Sequence, residues 1–247
     1  MNSGTHTPRT IISFFILILF LAGGFAAGWL FHPNSPPREP APLPVLGQAP
    51  DYTLTNQLGQ VVSSTSFRGK VQVVTFLFTY CRGYCPLIAH NFMTLERLLK
   101  VSGMADEVQL VAFNVDPQNT GPTEMKAFQE QYGWKPDNYR WEFLTGSSND
   151  IHHVVIDGYH VYYKKVVDDD DADSNAMEGD SIPEPVVANK LADKAGVDYD
   201  IVHNDVLAIV DTQGRIRKIF SDADRVSDEQ IMAVIERLLP DQRNAAQ

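Results

Sequence analysis

The chain has 247 residues, of which 44% are hydrophobic and 21% charged, and its formal net charge is −11 at pH 7. This size and composition indicate a globular protein with one large domain or two small ones. The negative charge argues against nucleic-acid binding, because nothing would offset repulsion by the phosphates. Two cysteines are too few for a disulfide scaffold.

The N-terminal region contains an uncharged apolar stretch, residues 11–31, that is long enough to cross a bilayer. Arg9 precedes it, which favours a cytoplasmic location for residues 1–10. We predict an uncleaved transmembrane anchor; a cleaved signal peptide, with small residues at 26–28 near the cleavage site, is the alternative. In both cases the cysteines lie outside the cytoplasm, where disulfides persist. The proline-rich residues 32–50 are predicted to be an extended linker.

Residues 51–240 are predicted to form one α/β domain, followed by a tail at 241–247. We predict strands at residues 52–54, 61–62, 71–78, 108–115, 141–144, 159–167, 206–210 and 216–220, and helices at 86–101, 123–132, 148–156 and 227–239. The continuous apolar runs at 71–78 and 108–115 are typical of strands that are covered on both faces. Alternating strands and helices, closed by a hairpin and a helix, predict a mixed sheet flanked by helices.

Residues 168–199 interrupt this alternation. Their first half is strongly acidic and includes the run DDDD, and they show no sustained periodicity. Carboxylates suit hard cations, but the regular spacing of a calcium-binding loop is missing. We therefore predict an acidic, solvated loop insertion.

The two cysteines, Cys81 and Cys85, lie between the apolar strand 71–78 and a helix opened by Pro86. Cysteines four apart on a first helical turn share one face, so their sulfurs can form a disulfide or hold one metal ion. The helix N-terminus and the neighbouring Arg82 both favour thiolate over thiol. Thiolates select copper(I) or zinc. A structural disulfide or a pair of buried thiols is the alternative.

A metal site needs further ligands, and the seven histidines are the candidates. His203 differs from the others because it lies just before the predicted strand 206–210, where loops converge at one end of a sheet. Spacing alone leaves open whether His203 is a ligand or an ordinary surface histidine.

The pattern FLFTYCRGYCP, followed by VAFNVDP and by a histidine just before a late apolar strand, resembles the Sco/SenC family. The similarity covers about residues 41–239. It implies a membrane-anchored, thioredoxin-like copper protein that helps to assemble the CuA site of cytochrome c oxidase. Position by position, the resemblance implies copper ligands at Cys81, Cys85 and His203, a set that suits copper(I) and, with added ligands, copper(II).

The resemblance also places Asp116 near the site, where it tunes the metal or contacts a partner; a turn residue before Pro117 is the alternative. The chain departs from the usual family pattern at several positions beside the implied ligands: Arg82-Gly83 after the first cysteine, Gln118-Asn119-Thr120 after Asp-Pro, and Val202 and Asn204 on either side of the histidine. These differences keep the implied ligands and change the charge around them.

The leading hypothesis is a copper chaperone, single-pass in the bacterial inner membrane, with its domain in the periplasm. It would pass copper by ligand exchange to the CuA-bearing subunit of cytochrome c oxidase or to another copper-receiving protein. The second hypothesis is a thiol–disulfide oxidoreductase that keeps the cysteines of such a protein reduced. There Cys81 attacks, Cys85 resolves and Arg82 lowers the thiol pKa. A redox or copper sensor is the third.

Overall fold

The structure is a computed structural model that describes residues 41–136, 141–167 and 189–239. The strands are β1 (Gly47–Gln48), β2 (Thr53–Asn56), β3 (Val61–Ser63), β4 (Val71–Leu77), β5 (Val108–Asn114), β6 (Trp141–Thr145), β7 (Tyr163–Val167), β8 (Tyr199–His203), β9 (Leu207–Val210) and β10 (Arg215–Phe220). The α-helices are α1 (Cys85–Val101), α2 (Pro122–Gln131), α3 (Ser148–His152), α4 (Lys190–Ala195) and α5 (Asp228–Leu238). The predicted α/β class is confirmed.

Eight strands form one mixed sheet in the order β1-β10-β9-β4-β5-β6-β2-β3. Strands β4, β5 and β6 are parallel, and the remaining pairs in this sheet are antiparallel. The two other strands, β7 and β8, form a separate antiparallel ribbon. The mixed sheet predicted from the alternating pattern is therefore confirmed, whereas the ribbon is an addition to it.

The centre of the sheet is the core of the fold. Every residue of β4 and of β5 is buried, as their continuous apolar runs predict. Helix α1 covers them with its buried face; Phe92 on this face lies 5.6 Å from the Trp141 ring, centroid to centroid. Burying each large apolar side chain of this kind stabilises the fold by about 1.5–3 kcal/mol.

Two element boundaries differ from the prediction in the region before β7. The helix predicted at 148–156 is capped by Ser147, whose hydroxyl accepts from the Asp150 N–H, and it passes into a π-helical turn at His153–Gly158. The strand predicted at 159–167 begins only at Tyr163, because His160 has a left-handed backbone conformation with φ 58°.

The prediction of an extended linker over residues 32–50 is wrong for its last part, where Gly47–Gln48 forms β1. Strand β1 pairs with β10 through Gly47 and Ile216, and Arg217 donates hydrogen bonds to the carbonyls of Pro44 and Leu43. Proline lacks an N–H but is tolerated beside an edge strand, so a proline-rich segment can still join a sheet.

The acidic segment, predicted to be a solvated loop over residues 168–199, also contains folded structure. Asn189 is buried, Lys190–Ala195 is a helix and Tyr199 begins β8. The prediction is wrong for residues 189–199, because a short helix and a five-residue strand give little periodic signal.

Residues 1–10, the predicted anchor at 11–31, the first part of the acidic segment and the C-terminal tail lie outside the described residues. Among the helices that the structure does describe, none is long and apolar enough to span a bilayer.

Asp211 holds the turn that joins β9 to β10. It is 3% exposed; Oδ1 accepts from the N–H groups of Gln213 and Arg215, and Oδ2 accepts from Arg215 Nε and Arg217 Nη1, both at 2.8 Å. Burial raises the pKa of Asp211, but these hydrogen bonds outweigh it and lower the pKa to about 2.

We expect Asp211→Asn to lower the free energy of unfolding by about 2 kcal/mol at pH 7. Because the folded-state pKa is lowered, this stabilisation is complete above the ordinary carboxyl pKa and is lost as the pH falls towards 2. Urea unfolding at pH 7 and pH 3 measures it, and the difference from wild type should shrink at the lower pH. Asp51→Asn is the control, since its ion pair with Arg68 is exposed and should contribute little.

Candidate metal centre

The two cysteines lie in the turn that leads from β4 into α1. The Cys81 N–H donates to the carbonyl of Phe78, and Cys85 is the first residue of α1, followed by Pro86. The Phe78 N–H donates in turn to Cys85 Sγ at 3.4 Å. Both are free thiols, and they are 7% and 1% exposed respectively. The sulfurs therefore sit in the protein interior, just below the surface at the carboxyl edge of the sheet.

The two thiols differ in acidity. A hydrogen bond from Cys85 lowers the pKa of Cys81, burial opposes this, and the backbone N–H groups of Cys85 and Gly83 lower it further. Burial, and then the same contact with Cys81, raises the pKa of Cys85 well above its ordinary value. Cys81 is therefore the sulfur that ionises first, and Cys85 is the one that keeps its proton.

His203 lies against the thiol pair. Its Nε2 is 3.6 Å from Cys85 Sγ, and its Nδ1 is 3.1 Å from the carbonyl oxygen of Asn204. A carbonyl only accepts, so the proton of the neutral ring is on Nδ1 and the Nε2 lone pair faces the sulfur. Burial lowers the pKa of His203, although its hydrogen bond to Asn204 acts in the opposite direction. The imidazole is thus neutral at pH 7, with Nε2 available to accept a proton or to bind a metal.

This arrangement fits a thiolate–imidazole metal site at one contact. With bonds of about 2.3 Å to sulfur and about 2.0 Å to nitrogen, two ligands of one first-row ion lie about 3.5–3.8 Å apart. Cys85 Sγ and His203 Nε2 are 3.6 Å apart. A ligating histidine also commonly donates its other N–H to a carbonyl, as His203 does here.

Cys81, the third implied ligand, is not grouped with Cys85 and His203 around one metal position. Within residues 41–136, 141–167 and 189–239, no three His, Cys, Asp or Glu side chains are grouped closely enough to hold a metal ion. Cys85 is the donor that contacts both of the others: it forms a hydrogen bond with Cys81 and lies 3.6 Å from His203 Nε2. For all three to bind one ion, their side chains must come closer together.

Strand β8 carries His203 to the thiols. Tyr199 and Ile201 are buried, whereas Val202 is 56% exposed, so alternate residues of the strand face the core and His203 is on the inward side. From the sequence, His203 is predicted to lie in a loop just before strand 206–210, and strand β8 is not predicted. The sequence signal for this strand is weak: Tyr199, Asp200 and Ile201 alternate apolar and polar, but an apolar Val202 on the exposed side and a polar His203 on the inward side break the pattern.

Asp116 fastens this strand to the main sheet. It follows β5, is 4% exposed, and accepts 2.6 Å and 2.7 Å hydrogen bonds from Tyr199 Oη and Asn119 Nδ2. The Tyr199 ring also packs on Phe78, with 5.6 Å between centroids. Asp116 is thus buried and hydrogen-bonded to the strand that bears His203, which it helps to position.

Arg82 has a different role from the one predicted. Its Nη2 donates to the carbonyl of Ala192 at 3.1 Å, and its Nε is 3.7 Å from Asp193 Oδ1. The guanidinium is therefore directed to α4, and the lowered pKa of Cys81 has its causes in Cys85 and the helix N-terminus.

The family model SCO1/SenC matches residues 45–181, more than half of the chain. The chain belongs to the SCO1/SenC family. The matched range includes both cysteines and Asp116 and ends before His203, so the family assignment rests on the thiol turn and the central sheet.

Individual relatives agree with this membership. The chain is 34% identical over 115 residues to the SCO1 protein homolog of Bacillus subtilis, which covers 46% of this chain and 58% of the relative. The chain spans less than two thirds of the length of the curated relatives that it matches first.

Solved structures share the thioredoxin-like Sco fold. The SCO1/SenC family lipoprotein of Bacillus anthracis is 25% identical and superimposes with a TM-score of 0.57 over 78% of this chain and 95% of its own. ScoI of Bradyrhizobium japonicum, solved with copper bound, is 24% identical and has a TM-score of 0.54 over 78% of this chain and 99% of its own. The second likeness establishes the fold alone.

For this Sco-family chain, we expect Tyr199→Phe to lower the free energy of unfolding by about 1–3 kcal/mol, because it leaves the buried Asp116 carboxylate without its short hydrogen bond. Denaturant unfolding at pH 7 measures the effect. Tyr162→Phe is the matched control, since Tyr162 precedes the same ribbon and is 59% exposed. Equal stability of the two variants would show that the hydroxyl does not hold β8 in place.

Proposed function

We propose that this chain is a copper chaperone that binds Cu(I) through Cys81, Cys85 and His203 and delivers it during assembly of a copper protein. Residues 11–31 anchor it in the bacterial inner membrane, and its domain works in the periplasm. The recipient is the CuA-bearing subunit of cytochrome c oxidase or another copper-receiving protein. Family membership supports this function, as does a fold that ScoI of Bradyrhizobium japonicum shares with copper bound.

One observation carries the proposal: the Nε2 lone pair of His203 faces Cys85 Sγ at 3.6 Å while Nδ1 is tied to a carbonyl. Two thiols and a neutral imidazole are soft and borderline donors, which select copper(I) over hard cations. Binding of the ion brings the Cys81 sulfur together with the other two donors. The buried Cys85 and the half-buried His203 are already in contact, and Cys81 completes the ligand set.

The same geometry suits release of the ion. Cys81 is the more exposed and the more acidic thiol, so an incoming donor from the recipient reaches it first. Copper is the cargo and passes by ligand exchange, in which each protein ligand is replaced in turn. Cys85 takes up a proton again after transfer because its pKa is raised.

We expect His203→Ala to weaken Cu(I) binding by more than about tenfold, about 1.4 kcal/mol. Competition with a chromogenic Cu(I) chelator, on the reduced full chain, measures the affinity. His90→Ala is the control: this exposed histidine lies on the same helix as Cys85 and should leave affinity unchanged. A His203→Ala affinity within about threefold of wild type, less than ~1 kcal/mol, contradicts the three-ligand site.

The difference in acidity between the thiols favours a second candidate function, thiol–disulfide exchange. The Cys81 thiolate attacks a disulfide of the copper-receiving protein, forming a mixed disulfide and releasing one partner thiolate. Cys85 then gives up its proton and attacks Cys81 Sγ, which releases the second partner thiolate. The pair is oxidised to a disulfide, and two electrons pass to the partner.

If this second function is correct, Cys85→Ser treated with oxidised glutathione accumulates a mixed disulfide on Cys81, whereas Cys81→Ser accumulates little on Cys85. Intact mass before and after reduction counts the adducts. The wild-type pair should also have a reduction potential above about −300 mV, since lower values mark disulfides that resist reduction. Equal trapping by both variants, or a lower potential, excludes this function.

A further inference from the structure

Asn189 joins residues 189–199 to the thiol turn. It is 5% exposed, and its Nδ2 donates to two carbonyls, those of Thr79 at 2.9 Å and Cys81 at 2.8 Å. These carbonyls lie on either side of Tyr80, between the end of β4 and the first helical turn of α1. Both amide hydrogens of Asn189 are therefore used to hold the backbone that carries Cys81.

The other end of the amide is held just as firmly. Asn189 Oδ1 accepts from the N–H groups of Leu191 and Ala192 and so caps α4. Gln131, at the end of α2, donates to the same oxygen and accepts from the Leu191 N–H. The contacts of Oδ1 with α4 and Gln131 fix the orientation of the Asn189 amide, and its Nδ2 group is thereby directed at the thiol turn.

Arg82 makes the second connection between α4 and the thiol turn, and it is the weaker one. Its ion pair with Asp193 joins side chains that are 49% and 68% exposed, and pairs of this kind contribute little. Besides this ion pair Arg82 makes one half-buried hydrogen bond, to the Ala192 carbonyl, whereas both Asn189 bonds are buried and water cannot replace them. The Asn189 contact therefore sets the geometry.

We infer that Asn189 is a positioning residue for Cys81: it holds the thiol turn in the conformation that receives the metal. This inference rests on the proposed copper site and extends it to a residue that does not contact the ion. Asn189 belongs to the segment 168–199, so the same contact links the described part of that segment, residues 189–199, to the site.

The test uses the full chain with Asn189→Ser. Serine caps helices well, so α4 is retained, but its short hydroxyl cannot reach both turn carbonyls. The matched control is Asn56→Ser: Asn56 is 2% exposed, uses both ends of its amide, and lies in β2, three strands from β4 in the sheet. It should lose comparable stability without affecting the thiols.

We expect Asn189→Ser to react with a thiol-specific disulfide reagent about tenfold faster than Asn56→Ser, and to bind Cu(I) about tenfold more weakly, the range of supporting residues around metal ligands. Gln131→Ala, which removes only the support of Asn189, should shift both values in the same direction by about two- to threefold. This milder variant keeps the inference testable if Asn189→Ser does not fold.

Thiol reactivity decides the inference, because it is measured without metal. If Asn189→Ser and Gln131→Ala react at the rate of Asn56→Ser, Asn189 does not position Cys81 and the inference is overturned. If the wild-type chain fails to bind Cu(I), the proposed function fails instead, and the reactivity comparison still determines whether Asn189 controls the turn.

Discussion

The parallel pairing of β4 with β5 is the constraint on which the site depends. The pairing runs in register from Val71 and Val108 to Leu77 and Asn114, and every residue in both strands is buried. Parallel strands end at the same edge of a sheet, so the turn with Cys81 and the turn with Asp116 are brought side by side. A shift in this register would exchange the buried side chains between the two covered faces and disrupt their packing, which makes the relative position of the two turns hard to change.

A second layer of structure is built on that edge. The β7–β8 ribbon is outside the main sheet, yet Tyr199 ties it to Asp116 by a short buried hydrogen bond and packs on Phe78. Four residues further on, His203 comes within contact of Cys85. The hydrogen bond between Tyr199 and Asp116 disfavours other placements of the ribbon. Without it, the buried Asp116 carboxylate would lose a hydrogen-bond donor, which is costly in free energy.

The two thiols differ in pKa because of their positions relative to α1, since both are cysteines. The Cys81 sulfur accepts from the backbone N–H groups of Gly83 and Cys85 at the start of α1, whereas Cys85 is the first residue of that helix and its thiol is more deeply buried. The Cys81 sulfur therefore ionises and reacts more readily, and the Cys85 sulfur stays protonated and buried. This difference suits both metal transfer and thiol exchange. His203 and the Asn189 contact distinguish this turn from a simple dithiol, since both restrict how it can move.

The sequence by itself determined the elements whose signals are local: the buried strands, the proline-opened helix with its two thiols, and the final helix capped by Ser227. It also brought Cys81, Cys85 and His203 forward as candidates, the last with help from family resemblance. The fastening of Tyr199 to Asp116, the direction of Arg82 and the Asn189 contact were decided only by the tertiary structure. Each joins residues tens of positions or more apart, and the segment from 189 to 199 acquires its order from those partners instead of from its own periodicity.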